Sequence, residues 1–183
     1  MTIQDVYKKI SDILNQQFIN NPKLEAKILI SHLLNIDEKE FILIKDKKEM
    51  NNHDFEKLFK LVAERLNGKS IASIINKKCF YDLEFYVDDT VLIPRPETEQ
   101  IIDIILKKFN KEEKLDIIDI GCGSGNISIT LAKHLENSNV DALDISSNAI
   151  KISKKNAIIN NIPFERINFL NENFLKYSTK KKI

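Results

Sequence analysis

The segment Asp119-Ile-Gly-Cys-Gly-Ser-Gly-Asn126 constrains this chain more than any other. It follows an apolar run from Leu115 to Ile118 and leads into a helical pattern from Ile127 to Leu135. A buried strand, a glycine turn and a helix start in that order make a cradle for a nucleotide-like ligand. The first helical turn offers unpaired backbone N–H groups and a partial positive charge, and glycine lets the backbone approach a ligand because no Cβ intervenes. The spacing departs from the dinucleotide fingerprint, which needs its third glycine at the sixth position. Counted from Gly121, the sixth position is Asn126, and the third glycine is Gly125.

Composition narrows the rest. A chain of 183 residues holds one large domain or two small ones, and 43% hydrophobic with 30% charged residues describes a folded, water-soluble protein. A net charge of +1 gives no broad attraction to nucleic acid, so no direct nucleic-acid partner is expected. The basic clusters at Lys45–Lys48 and Lys180–Lys182 read as solvated surface and chain end. No apolar stretch reaches membrane-spanning length, and the N-terminus lacks the charged start and apolar core of a secretory signal. Cys79 and Cys122 make no disulfide framework, the three histidines are scattered, and no metal site is expected. These features suit a reduced cytoplasm.

The first seventy or so residues read as helices. Ile3, Val6, Ile10, Ile13, Leu14 and Phe18 recur at helical spacing, with Thr2 as N-cap and Asp5 in the first turn. Asn20-Asn21-Pro22 breaks and restarts the chain, Pro22 suiting a first helical position. Leu24, Ile28 and the run to Leu34 form a second amphipathic helix, and a short third covers Glu38 to Ile44. The clearest helix starts near Asn52, with Phe55, Leu58, Phe59, Val62 and Leu66 as one stripe and Asn67-Gly68 as its stop. No catalytic group stands out in this bundle, which reads either as a packing module or as a substrate-docking module.

From Ile71 the pattern changes. Cys79 to Val87 is rich in aromatic and β-favouring residues and predicts a short hairpin with Asp82 in its turn. In Val91-Leu-Ile-Pro-Arg-Pro-Glu-Thr-Glu99 the two prolines hold an extended segment that enters a helix near Pro96. Ile101, Ile102, Ile105, Leu106 and Phe109 form that helix's apolar stripe. Val140 to Asp144 reads as a second strand ending in an acid, about twenty residues past the glycine loop, where a carboxylate can accept both hydroxyls of a ribose. The competing reading of Asp144 is a helix N-cap. A helix from Ser147 to Asn160 and a third strand from Phe164 to Leu170 follow.

Two of these segments carry a family resemblance. The G-x-G-x-G loop preceded by Asp119 resembles motif I of the S-adenosylmethionine-dependent methyltransferases. Leu92-Ile-Pro-Arg-Pro-Glu-Thr-Glu99 closely resembles the signature that precedes the catalytic domain of release factor glutamine methyltransferases. These enzymes methylate the side-chain amide nitrogen of the glutamine in the Gly-Gly-Gln motif of peptide chain release factors. The linker motif is specific, and related enzymes acting on a ribosomal protein depart from its wording. The glycine loop marks only the superfamily.

The resemblance implies an α/β fold with residues 1–75 as a helical substrate-docking domain and 76–95 as hairpin and proline-rich linker. Residues 96–183 would be an incomplete, Rossmann-like class I methyltransferase domain of about three strands. It implies S-adenosyl-L-methionine as cofactor, without a metal, and release factors as partners. By resemblance the cofactor residues are Asp119, Gly121, Cys122, Gly123, Ser124, Gly125 and Asp144, joined by Glu172 and Asn173 at the adenine, with Arg95, Pro96, Glu97 and Thr98 as the linker motif. A thiol at a helix start can have a lowered pKa, but direct methyl displacement needs no thiol nucleophile. Cys122 therefore reads as a small loop residue.

The family's catalytic Asn-Pro-Pro-Tyr motif does not occur in residues 1–183, so no catalytic residue is assigned. An amide nitrogen is a poor nucleophile because its lone pair is delocalised into the carbonyl. The missing motif is what fixes that amide beside the methyl sulfonium in similar enzymes. The expected sheet places its first strand between the second and the fourth, so without the fourth it would present a free edge. A fragment, a truncated gene and a second polypeptide supplying the remainder all stay open. So do three functions: the release factor enzyme, another methyltransferase of Asn-Pro-Pro-Tyr type acting on a ribosomal protein or on adenine N6, and a non-catalytic binding module.

Overall fold

The computed structural model describes residues Met1–Tyr177, so the Lys180–Lys182 cluster lies outside the described residues. Two compact units emerge, Met1–Ile75 and Asn76–Ile183.

The first unit is helical: α1 (Ile3–Gln16), α2 (Pro22–Leu34), α3 (Glu38–Ile44), α4 (Asn52–Leu66) and α5 (Ile71–Ile75). Local chemistry sets the helix starts. Thr2 and Asp5 form a reciprocal capping box on α1, and the Asp37 and Asn51 side chains accept first-turn N–H groups of α3 and α4. The core joins Ile3, Val6, Ile10 and Leu14 of α1 to Leu29 and Ile30 of α2 and Leu58 and Val62 of α4.

Four stripe positions differ from expectation; one of them, Phe59 of α4, stands at the edge of the stripe and is 37% exposed. Phe18 is 95% exposed and lies beyond α1, where it takes a left-handed conformation (φ 56). There the Phe18 N–H donates to Asn15 O (3.0 Å) and the Ile19 N–H to Leu14 O (3.2 Å), a Schellman closure that outranks the stripe. Leu24, near the start of α2, and Leu66, at the end of α4, are exposed because the helix termini run past the core.

The second unit opens with an antiparallel hairpin of β1 (Lys78–Phe80) and β2 (Leu83–Phe85), closed by Tyr81 and Asp82. The turn is pinned at both residues. The Tyr81 N–H donates to Glu99 Oε1 (2.8 Å), its hydroxyl to Asp103 Oδ1 (3.0 Å), and His134 Nε2 meets Asp82 (2.9 Å). After the proline segment a 3-10 turn, Pro96–Thr98, precedes α6 (Glu99–Lys108). Only Ile102 of the expected α6 stripe is fully buried, and Ile101 is exposed, because this helix packs chiefly against one neighbour, the helix Asn126–His134.

A parallel sheet then forms in the order β3-β4-β5, from β3 (Asp116–Ile120), β4 (Asn139–Asp144) and β5 (Ile167–Asn171). α7 (Asn126–His134) and α8 (Ser147–Ile159) are the crossovers that parallel strands require. Among the described residues β3 pairs on one side only, with β4. Phe164 lies outside β5, because the Pro163 carbonyl accepts the Arg166 N–H (3.1 Å) and closes a turn there. The observed class is the expected one: a helical N-terminal region, a hairpin, and a three-stranded Rossmann-like half domain.

Candidate functional site

The glycine loop is built at the C-terminal end of the sheet, where open α/β folds bind ligands. The N–H groups of Gly121 and Cys122 both donate to Leu143 O (2.8 and 2.9 Å), tying the loop to β4. The Gly125 N–H donates to Cys122 O (2.7 Å), and Gly125 caps α7 in a left-handed conformation (φ 79). A Cβ at Gly125 would stand 2.9 Å from both Ile129 Cδ1 and Ser153 Cβ, so this glycine lets α8 approach the loop. A Cβ at Gly121 or Gly123 would meet nothing within 4 Å. The three glycines therefore divide the work: the first two leave open space, and the third permits packing.

Two carboxylates flank the loop. Asp119 Oδ2 accepts the Ser128 N–H (3.2 Å) and the Ser128 hydroxyl, which fixes the first turn of α7 to the end of β3. Burial pushes the Asp119 carboxyl above the ordinary carboxylate range; the Ser128 hydrogen bonds oppose this, and the Asp144 charge adds to it. Asp144 ends β4 and uses one oxygen on each side: Oδ2 accepts the Gly123 N–H (2.9 Å) and Oδ1 the Ser146 N–H (2.8 Å). The N-cap of α8 is Ser146, whose side chain accepts the Ala149 N–H (3.3 Å). The N-cap reading of Asp144 is thereby corrected. Burial first, then the charges of Asp119 and Asp144, push the buried Cys122 thiol up to about 12, so it stays protonated near neutrality.

Two grooves meet at Gly121. The first brings together Asp144, Ile145, Glu172, Asn173 and Phe174. Asn173 is held there because its side chain accepts the Leu175 N–H (2.9 Å). The second groove runs between the glycine loop and the proline segment, with Ile93, Arg95 and Thr98 on one side and Asp119, Cys122 and Asn126 on the other. Ser124 is almost fully buried, its hydroxyl donates to Asn126 Oδ1 (3.3 Å), and it contributes to the lining of the second groove. Pro96 and Glu97 are exposed on the 3-10 turn and do not line either groove. Among the described residues no group of three or more His, Cys, Asp or Glu side chains gathers as a metal site, and no helix is long and apolar enough to cross a membrane.

Comparison with known proteins fits this geometry. Residues 5–75 match the family model of the PrmC N-terminal domain, and residues 98–183 match that of the methyltransferase small domain. The release factor glutamine methyltransferase of Dictyoglomus turgidum is 45% identical over 73% of this chain and 46% of its own length. The one of Chlorobaculum tepidum is 30% identical over 97% of this chain and 61% of its own length. The chain belongs to the release factor glutamine methyltransferase family. A protein of Rickettsia prowazekii named bifunctional methyltransferase is also similar, 37% identical over 99% of this chain and 38% of that protein. The chain thus spans between 38% and 61% of the length of these three relatives.

Within the family framework, two asparagines hold the site and were not singled out for it in sequence. Asn171 donates to the carbonyls of Asp144 (3.0 Å) and Ile145 (2.9 Å), fixing the backbone beside the acid. Asn156 is buried in α8 on the stripe Ala149, Ser153, Asn156, Asn160. A usable signal existed, since polar residues at spacings of three and four on a helix face otherwise lined by Ala and Ile need buried partners.

Proposed function

We propose that this chain carries the methyl-donor site of an S-adenosylmethionine-dependent enzyme that methylates N5 of the glutamine in the Gly-Gly-Gln motif of class 1 peptide chain release factors. In this reading Met1–Ile75 docks the release factor in the cytoplasm, and the two grooves of Asn76–Ile183 hold the donor. The observation that carries the reading is the placement of Asp144 beside the glycine loop at the end of the parallel sheet. Each of its carboxylate oxygens accepts one backbone N–H and keeps a lone pair for a ribose hydroxyl. The open space over Gly121 and Gly123 fits the same ligand.

The bound donor supplies a methyl group on a sulfonium, and the chain's own residues supply position. Asp144 takes the ribose, Glu172 and Asn173 flank the adenine in the first groove, and Gly121, Cys122 and Gly123 offer close backbone. Arg95 and Thr98 face the second groove with Asp119, where the reacting end and the incoming amide would meet. Ser124 contributes to the wall of the second groove, Gly125 supports the loop from below, and Pro96 and Glu97 set the direction of the linker.

The test is calorimetry with S-adenosylmethionine. Asp144→Ala weakens binding by about 1–3 kcal/mol, the scale of hydrogen bonds to a charged group. Equal affinity for both proteins would remove Asp144 from the site, and preference for a nicotinamide dinucleotide would overturn the reading. Because residues 1–183 contain no Asn-Pro-Pro-Tyr, they forfeit most of a proximity contribution worth roughly 7–11 kcal/mol and leave a release factor unlabelled in the presence of labelled donor. Label on the Gly-Gly-Gln glutamine would refute that.

A further inference from the structure

The side chain of Asn156 is 0% exposed and nearly saturated with hydrogen bonds. Its Oδ1 accepts the Tyr86 N–H (2.7 Å), and its Nδ2 donates to Tyr86 O (2.9 Å) and to Ser124 O (2.9 Å). Both amide hydrogens are used, and the Tyr86 backbone is paired as if by a neighbouring strand. The partners lie 70 and 32 residues away in sequence; Ser124 lines the second groove, and Tyr86 stands in the chain segment that leads to the opposite wall. Tyr86 follows β2 and leads into the segment that carries Ile93, Arg95 and Thr98. Ser124 lies in the glycine loop opposite.

The contact with Ser124 reaches further than one carbonyl. Ser124 C=O and Gly125 N–H form a single planar peptide unit. Asn156 holds the oxygen end, and Cys122 O accepts the hydrogen at the other end (2.7 Å). With both ends tied, the plane that orients the start of α7 cannot rotate. One turn further along α8, Asn160 Nδ2 donates to Glu84 O (2.8 Å) and extends the attachment along β2.

We propose that Asn156 is a positioning residue for the donor groove: its amide clasps the strand leaving the hairpin to the glycine loop and so sets the distance between the two groove walls. The proposal rests on the methyl-donor reading for its functional consequence, although Asn156 lines neither groove.

Amide hydrogen exchange on the unaltered chain is the first measurement. The Tyr86 and Gly125 amides exchange as slowly as those of β4, and fast exchange at Tyr86 overturns the proposal. In Asn156→Ser and Asn156→Leu both amides exchange faster while those of β4 and β5 do not change. An increase spread evenly over the unit would reduce Asn156 to a general core residue and overturn the clasp.

The second measurement is S-adenosylmethionine affinity against a matched destabilising control, Ile167→Ala in β5. The Asn156 variants bind roughly tenfold more weakly, while the control, with a similar loss of melting temperature, keeps its Kd within about twofold. Equal Kd for the Asn156 variants and the unaltered chain overturns the proposal. If the unaltered chain binds no S-adenosylmethionine, the methyl-donor reading fails, and the exchange pattern alone decides whether the clasp exists.

Discussion

In Met1–Ile75 the fully buried side chains are mostly apolar stripes, with few polar members: Ser11 Oγ donates to Tyr7 O four residues back, Ser70 Oγ donates to Ser73 Oγ, and the half-buried Arg65–Glu25 pair joins α4 to α2. In Asn76–Ile183 the buried Ser124, Ser128, Ser153, Asn156 and Asn160 gather about the glycine loop and α8, and the two asparagines bond to backbone on other elements. The first unit gains from area removed from water, which is non-directional and forgiving of shape. The second adds directional bonds that fail one at a time and leave buried groups unpaired when they do. A binding site needs fixed backbone, and the polar core supplies it.

The largest expected break comes from Gly125→Ala. The alanine must adopt φ 79 and place its Cβ 2.9 Å from Ser153 Cβ. Left-handed strain of about 1–2 kcal/mol adds to an overpacking cost of about 1–3 kcal/mol. Urea unfolding shows the combined loss, and calorimetry shows S-adenosylmethionine binding abolished. Gly123→Ala, with nothing within 4 Å of its Cβ, costs only the strain. Equal losses for the two variants would refute the division between packing glycine and open glycines.

Leu29→Ala tests the other side. Leu29 is fully buried in the helical core, and its truncation costs about 2–5 kcal/mol of that unit's stability. Donor affinity stays unchanged, because no residue of the grooves belongs to Met1–Ile75. A parallel loss of donor binding would show that the contrast between the units is false.

The same contrast explains what was legible in sequence. Apolar periodicity and caps are written in neighbouring residues, so α1 with Thr2, α3 over Glu38–Ile44 and α4 from Asn52 could be placed closely. The glycine loop with Asp119 and the acid ending β4 were legible because turn chemistry and strand ends are local too. Phe18 was misread because a helix stripe does not say when a Schellman turn stops it. Phe164 was read into β5 because an aromatic beside a proline turn resembles a strand start. For Asn156 the helical spacing could mark a buried polar face but not its partners, which are backbone atoms of Tyr86 and Ser124, and backbone atoms leave no mark in composition.

A smaller effect, with opposite signs for stability and binding, is expected at Asp119. Burial raises its carboxyl pKa in the folded protein, so the folded state holds the proton more tightly than the unfolded chain does. Ionisation therefore costs stability as pH rises from the ordinary carboxylate range through the raised value. Asp119→Asn removes that cost and can keep an oxygen for Ser128. The variant matches the wild type in acid and becomes the more stable of the two as pH rises through that window, as urea midpoints at several pH values would show. Its donor affinity falls by about 1 kcal/mol. A stability difference that does not vary with pH would mean that the carboxyl is not perturbed in the fold.

The smallest effect belongs to Phe18, where a local rule of the helical unit is broken without any contact to justify it. Its left-handed backbone (φ 56) closes α1, a position that glycine and asparagine fill at little cost. Elsewhere this chain follows the rule: Asn35 and Asn161 take the equivalent places after α2 and α8, each with both closing hydrogen bonds. The side chain of Phe18 is 95% exposed, so its removal sacrifices almost no buried area. Phe18→Asn keeps the Schellman bonds and relieves strain, for a gain of up to about 1 kcal/mol. Asparagine is preferred to glycine for the test because it does not add backbone freedom to the unfolded chain. The measurement is the urea midpoint of the helical unit at constant slope. A destabilised Phe18→Asn would show that the exposed ring is held by something stronger than the strain of its own backbone, and the apolar unit would then be less tolerant than its core implies.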